Sequence, residues 1–245
     1  MTQFLIPPNS REGDIVTLDG SDARHLRDAL RARVGEAVRL FDGNGTHYQG
    51  KVQSTSKNGV SVLVGLRLPA ESPRTPLLFA QSILKGDKMD FVIQKAAELG
   101  VSSFLPFVSS RTIVRIDPKK DKTTRWQKIA QEASKQCGRA THMIVDPPVT
   151  FKTLLEKTEA DVKIIFWEES REPLRRFFQR NPPLPPFFKG GILVLIGPEG
   201  GFSKDEIDLA VRRRFTALSL GSTILKAETA AIAAMSLIQY ELGNI

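Results

Sequence analysis

The chain is poor in the residues that build metal clusters and disulfides. Its 245 residues include one cysteine, Cys137, and three scattered histidines, His25, His47 and His142. A single thiol excludes an internal disulfide and any cysteine-cluster zinc site, and the histidines give no helical metal pair, so no metal is expected. Long hydrophobic runs are missing as well, since nothing approaches the ~18 apolar residues of a membrane span. The opening MTQFLIPPNS has neither the basic nor the apolar region of a secretory signal, which leads to the expectation of a cytoplasmic protein with no membrane partner. Acid is in deficit: 27 Asp and Glu stand against 35 Lys and Arg, a formal charge of +8. That balance favours an anionic partner without naming one.

The excess is concentrated. Arg111 to Arg139 holds nine basic residues (Arg111, Arg115, Lys119, Lys120, Lys122, Arg125, Lys128, Lys135, Arg139) against Asp117, Asp121 and Glu132, a local +6. A solvated helix face is one reading of such a run, and neutralisation of nucleic-acid phosphates is the other. A chain of this length can bury ample core, as one domain or two.

Residues 1 to about 72 alternate short apolar runs with turn signals: Ile15–Leu18, Ala37–Phe41, the hairpin-like DGNG at Asp42–Gly45, Tyr48–Gln53, Lys57–Gly59 and Val60–Leu68. The pattern predicts a small β-barrel domain over 1–72 with one helix near Ala23–Arg33, in which Arg24, Arg27 and Arg31 share a face. Pro69, Pro73 and Pro76 mark a linker. From 73 to 245 strand and helix alternate: Leu78–Leu84, a helix over Asp87–Leu99, Val101–Val108, a long helix over Thr124–Cys137, Val162–Trp167 and a helix after Glu168. That alternation predicts a parallel α/β domain. The proline-rich stretch Asn181–Gly190 reads as a surface-loop insertion or, alternatively, a polyproline ligand.

Two glycine-containing corners carry the chemistry. In LIGPEGGF (Leu195–Phe202), the β-branched run Gly191–Ile196 reads as a buried parallel strand; glycines and Pro198 break it, and Ser203 with Glu206 forms a capping box opening a helix. Such a corner faces the carboxyl edge of a sheet, where ligands bind and where glycine lets backbone approach them closely. Its glycines match neither the dinucleotide fingerprint nor the P-loop, which disfavours a phosphate cradle. A plain tight turn is the other reading. In LSLGSTILKAETAAIAA (Leu218–Ala234), Phe215–Leu220 reads as a strand, Gly221 breaks it, and Lys226–Leu242 reads as a helix rich in small residues, suited to a tight core or to a subunit interface. Together the corners can wall one pocket.

These two segments, with RHLRDALR and LFDGNG (Arg24–Arg31, Leu40–Gly45), KGDKMDFVIQKAAELGV (Lys85–Val101), SSRT (Ser109–Thr112), Arg125–Trp126 and EASKQCGR (Glu132–Arg139), resemble the RsmE-type ribosomal RNA uridine-N3 methyltransferases of the trefoil-knotted SPOUT superfamily. The resemblance spans nearly the whole chain. It implies a PUA-like RNA-binding domain followed by a knotted methyltransferase domain, and a homodimer that binds S-adenosylmethionine and methylates a uridine of small-subunit (16S) ribosomal RNA. It further implies a cofactor site lined by Phe166, Trp167, Ile196, Gly197, Glu199, Gly201, Leu220, Gly221, Ile224 and Leu225. RNA contacts are then expected at Arg24, His25, Arg27, Arg31, Arg111, Arg125, Lys135 and Arg139.

Uridine N3 carries a proton and is a poor nucleophile until that proton leaves, so a base or a cation that stabilises the anion is required. Glu199 and Glu228 are the candidate bases, Lys226 and Arg139 the candidate cations. Glu228 has a second reading, as a carboxylate complementing a helix dipole. The chain departs from the family at Thr223 and Lys226, where arginine is usual, and at Lys135, where an acidic residue is common. Two other readings stand beside the leading one: a non-catalytic RNA-binding or ribosome-assembly module, and a knotted methyltransferase with another target atom.

Overall fold

The structure, a computed structural model, describes residues 3–7, 10–43, 45–69, 75–114, 122–139, 141–181 and 190–245. Arg115, Asp117, Lys119, Lys120, Asp121, Pro73 and residues 182–189 of the proline-rich stretch lie outside them. The chain forms two compact units, one of residues 1–72 with 134–142, the other of residues 73–133 with 143–245.

In the first unit the strands are β1 (Gln3–Leu5), β2 (Arg11–Glu12), β3 (Ile15–Leu18), β4 (Ala37–Phe41), β5 (Thr46–Thr55) and β6 (Val60–Pro69), with helix α1 (Gly20–Arg24) between β3 and β4. They make one sheet in the order β1-β4-β5-β6-β3-β2, antiparallel except for the β1–β4 pair. The alternation read from the sequence puts Val16, Leu18, Val38, Leu40, Val60, Val62 and Val64 into one buried core. Segment 134–142 is fastened to this unit by several contacts, including a bridge between Gly43 and Thr141. Gln3 Nε2 donates to the Arg139 carbonyl at 2.8 Å, Lys135 pairs with Asp22 at 3.1 Å, and the His142 ring stands edge-on to Phe41.

The helix expected over Ala23–Arg33 is corrected. It starts at Gly20 and passes into a π-helical turn at His25–Ala29, closed by the Leu30 N–H on the His25 carbonyl, and Arg31 follows with φ of 51°. An i→i+5 turn followed by a left-handed residue breaks the 3.6-residue repeat, so Arg31 does not continue a helical face with Arg24 and Arg27.

The second unit contains β7 (Leu77–Ser82), α2 (Lys88–Glu98), β8 (Ser103–Val108), α3 (Lys122–Cys137, whose last turn falls in the first unit), β9 (Ile144–Val145), β10 (Val149–Thr150), α4 (Phe151–Lys157), β11 (Val162–Phe166), α5 (Leu174–Arg180), β12 (Ile192–Ile196), α6 (Lys204–Arg212), β13 (Thr216–Leu218) and α7 (Ala227–Glu241). Every strand pair is parallel, in the order β10-β8-β7-β12-β11-β13 with β9 alongside β8. β12 lies inside the sheet and is buried on both faces: Ile192, Val194 and Ile196 pack toward α2, α3, α5 and α7, while Leu193 and Leu195 pack toward α4 and α6. Burying each of these side chains contributes about 1.5–3 kcal/mol. This is why an uninterrupted apolar run, rather than an alternating one, marks the strand.

Several short elements carry no sequence pattern long enough to read: β1, β2, β9, β10 and α4, although Thr150 caps α4 by accepting from the Thr153 N–H at 3.2 Å. The helix expected after Glu168 begins only at Leu174, since Ser170 Oγ first ties the chain to the Ala217 carbonyl and Pro173 occupies the cap. Among the described residues no helix is long and apolar enough to cross a membrane, and no group of His, Cys, Asp and Glu could hold a metal ion.

Candidate active site

Register brings three strand ends to one level. Ile165 pairs with Leu195 on one side and with Ala217 on the other, so the loops after β11, β12 and β13 leave the carboxyl edge of the sheet together. They enclose a cavity of about 480 Å³.

The loop after β12 is fixed from several directions. Buried Gln81, at the end of β7, donates from Nε2 to the carbonyls of Gly197 (3.0 Å) and Ser82 (3.0 Å), with a longer bond to Ile196. Gly197 is buried, and a Cβ there would stand 3.2 Å from Gly201 and from the Phe202 ring. Gly201 has φ of 66°, a left-handed backbone that favours glycine, and packs against the end of the Glu168 side chain. The capping box forms as read: Ser203 and Glu206 exchange hydrogen bonds at the start of α6.

The SSRT segment completes the brace. Ser110 donates through its N–H (2.8 Å) and Oγ (2.9 Å) to the two oxygens of buried Glu206, and Arg111 Nη1 donates to the Gly200 carbonyl at 2.9 Å. Ser82, Ser109 and Thr112 form a hydroxyl cluster beneath. Arg111, expected to meet RNA, therefore holds the corner.

The loop after β13 is less constrained. Its internal bonds join Ser219 Oγ to Gly221, Gly221 has φ of 136° with open space around it, and Ile224 is 83% exposed. All ten residues of the expected cofactor site, from Phe166 to Leu225, line the cavity.

Of the candidate catalytic residues, Glu199 and exposed Lys226 line the cavity and Glu228 does not. Glu228 Oε2 is buried and lies 3.3 Å from the Nζ of Lys88, a cavity-lining residue that sequence reasoning did not single out. Lys88 Nζ is also 3.6 Å from Glu199 Oε1, which accepts from the Lys85 N–H at 3.1 Å. Partial burial alone would raise the Glu199 carboxyl, but the hydrogen bond from Lys85 and the charge of Lys88 outweigh it and hold its pKa below the ordinary value. Glu199 is thus a weak base. The only sequence signal for Lys88 was its place in the KGDKM segment.

Arg139 belongs to the first unit and is not on the cavity wall. Among the other residues expected to meet RNA, Lys135 is engaged by Asp22, and Arg125 pairs with Asp90, which also accepts from Trp126 Nε1 at 3.1 Å. Arg27 chelates Asp28 and donates to the Ser56 carbonyl. Arg24, His25 and Arg31 are exposed.

Comparison with known proteins bears on this arrangement. Residues 70–239 match the family model of the RNA methyltransferase domain, and residues 18–64 that of the RNA methyltransferase PUA domain. The chain is 32% identical over 238 residues to the ribosomal RNA small subunit methyltransferase E of Bacillus subtilis, covering 94% of this chain and 91% of that protein. Among solved structures, the ribosomal RNA small subunit methyltransferase E of Neisseria gonorrhoeae, bound to S-adenosyl methionine, superposes with a TM-score of 0.84 at 33% identity, covering 98% of this chain and 97% of that one. A methyltransferase of Legionella pneumophila, in complex with the bound cofactor SAM, gives 0.84 at 32% identity over 98% and 97% of the two chains. With a family model spanning more than half its length and relatives above 30% identity along nearly all of it, the chain belongs to the RNA methyltransferases of the ribosomal RNA small subunit methyltransferase E type.

Proposed function

We propose that this chain transfers the methyl group of S-adenosylmethionine to N3 of a uridine in small-subunit (16S) ribosomal RNA, acting in the cytoplasm as a homodimer. The observation that carries the reading is the cavity walled by the three loops at the carboxyl edge of the parallel sheet. Its residues fit the cofactor. Ile196, Leu220 and Leu225 offer apolar walls for a flat base, the glycine corner offers backbone groups that side chains would otherwise screen, and a volume of about 480 Å³ suits a ligand of that size. Bound there, S-adenosylmethionine supplies a methyl carbon already activated on a sulfonium, so the protein has chiefly to position donor and acceptor.

The protein's own residues do the rest. Gln81, Arg111 and Glu206 hold the corner in place. Glu199, held ionised by Lys85 and Lys88, places negative charge beside a cationic ligand. The homodimer reading draws on α7, which leaves Leu237 and Tyr240 exposed.

Titration calorimetry of the wild type and of Gly197→Val with S-adenosylmethionine, followed by nucleoside mass spectrometry of small-subunit ribosomal RNA, tests the reading. Binding in the micromolar range by the wild type only, and new N3-methyluridine, are the expected results. A folded wild type that binds no cofactor, or a methyl group at another atom, would overturn it. Sedimentation analysis reads the dimer separately.

A further inference from the structure

Lys88 opens α2 with its ammonium set between two carboxylates from distant parts of the chain. Glu228, on the first turn of α7, stands behind it at 3.3 Å, with its Oε2 buried and accepting no hydrogen bond among the described residues. Glu199 stands beside it at 3.6 Å on the cavity wall. The arrangement has a direction: a carboxylate with one buried oxygen anchors the lysine, and the lysine faces the cavity. A charge held in place by folding costs no reorganisation when new charge develops opposite it.

The loss of the N3 proton spreads negative charge over the uracil ring onto the two carbonyl oxygens flanking N3, and an ammonium at the wall is suited to meet it. We propose that Lys88 is a catalytic residue of the methyl transfer: its ammonium hydrogen-bonds a uracil carbonyl oxygen and stabilises the N3 anion, and Glu228 is the positioning residue that aims it. This rests on the uridine-methylation reading. The step balances as follows. The N3–H bond breaks and its proton passes to solvent base, because Glu199 is a weak acceptor. The electron pair stays on the ring and then bonds the methyl carbon as the carbon–sulfur bond breaks, its pair remaining on sulfur. Lys88 stays protonated throughout.

The test compares the wild type with Lys88→Met, Lys88→Arg and Glu228→Gln. N3-methyluridine formation on transcribed small-subunit ribosomal RNA, and on subunits assembled from it, is followed across a pH series at saturating S-adenosylmethionine. Cofactor affinity by calorimetry and thermal unfolding are measured alongside. Glu168 and Lys226, which also line the cavity, and Lys85 and Asp87, which precede Lys88 in the chain, are unchanged in these variants. Lys88→Met is expected to keep its cofactor Kd within about threefold, to lose about 100-fold in kcat, and to reach half-maximal rate about 1–2 pH units higher, because the anion must then form without its cation. Lys88→Arg is expected to restore most of the rate, and Glu228→Gln to shift the profile in the same direction by less.

An unchanged kcat and pH midpoint in Lys88→Met would overturn the proposal. So would loss of rate in step with loss of cofactor binding and an unmoved midpoint, the signature of a merely structural role. If Lys88→Met does not fold, Lys88→Gln and Lys88→Arg are judged by the same midpoint. A wild type that leaves N3 unmethylated overturns the parent reading and this one with it, whereas failure of the Lys88 role alone leaves the wild type active.

Discussion

The two glycine corners that wall the cavity look alike in sequence and differ in mechanics. The corner after β12 is held from three other segments: Gln81 at the end of β7, Ser110 and Arg111 after β8, and Glu206 in α6. The loop after β13 is tied at its start, where the Ser219 N–H donates to the Glu172 carbonyl at 2.8 Å and the Ser219 carbonyl accepts from the Leu174 N–H; further on it exposes Ile224 and leaves open space at Gly221. One wall is braced along its length and the other chiefly at its start. A site that must both fix a donor and admit a large substrate is served by that division, because rigidity supplies orientation and looseness supplies access.

The largest expected effect comes from crowding the rigid wall. In Gly197→Val the new side chain meets Gly201 and Phe202, which destabilises the fold by about 1–3 kcal/mol and abolishes cofactor binding in calorimetry. Wild-type affinity in this variant would mean that the corner gives way easily. Next is Gln81→Leu, which leaves the Ser82 and Gly197 carbonyls without their donor and is expected to cost about 1–3 kcal/mol in denaturant unfolding. A loss below about 0.5 kcal/mol would show that the brace contributes nothing beyond an ordinary surface contact.

Smaller effects sharpen the contrast from the loose side. Ile224→Ser is expected to leave stability within about 0.5 kcal/mol of wild type, because the side chain is already 83% exposed, yet to weaken cofactor binding about tenfold if the ligand covers it. Equal effects on stability and binding would refute the looseness of this loop. The smallest effect concerns pH. The Glu199 carboxyl is held below its ordinary pKa, so its ionised form favours the folded state; that contribution is present above the ordinary carboxylate range and is lost as pH falls through the lowered folded value. Glu199→Gln should therefore flatten the acid limb of a stability-versus-pH curve, and an acid limb identical to wild type would show that Lys85 and Lys88 do not anchor it.

Much of the frame was readable from local signals. The apolar run into β12, the Ser203–Glu206 capping box and the periodicity of α2 became elements within a residue or two of expectation. The two glycine corners were legible for the same reason, since glycine and proline act on their own backbone. The helix predicted over Ala23–Arg33 failed where a π turn and a left-handed Arg31 intervened, neither of which leaves a mark in hydrophobic spacing. Arg111 and Lys135 were read as cations for RNA from their charge; the internal partners they also have, the Gly200 carbonyl and Asp22, are not displayed by the sequence.

By itself, then, the chain's order of residues determined the parallel sheet and the two loops at its carboxyl edge, because each depends on propensity, burial pattern and turn chemistry over a few neighbouring residues. Only the tertiary structure decided that Lys88 would lie between Glu199 and Glu228, that Glu228 would sit behind the wall rather than on it, and that Gln81 would hold the Gly197 carbonyl. Those outcomes depend on which strands become neighbours and in what register, and distances of a few ångströms across a sheet are not encoded in any local stretch of the sequence.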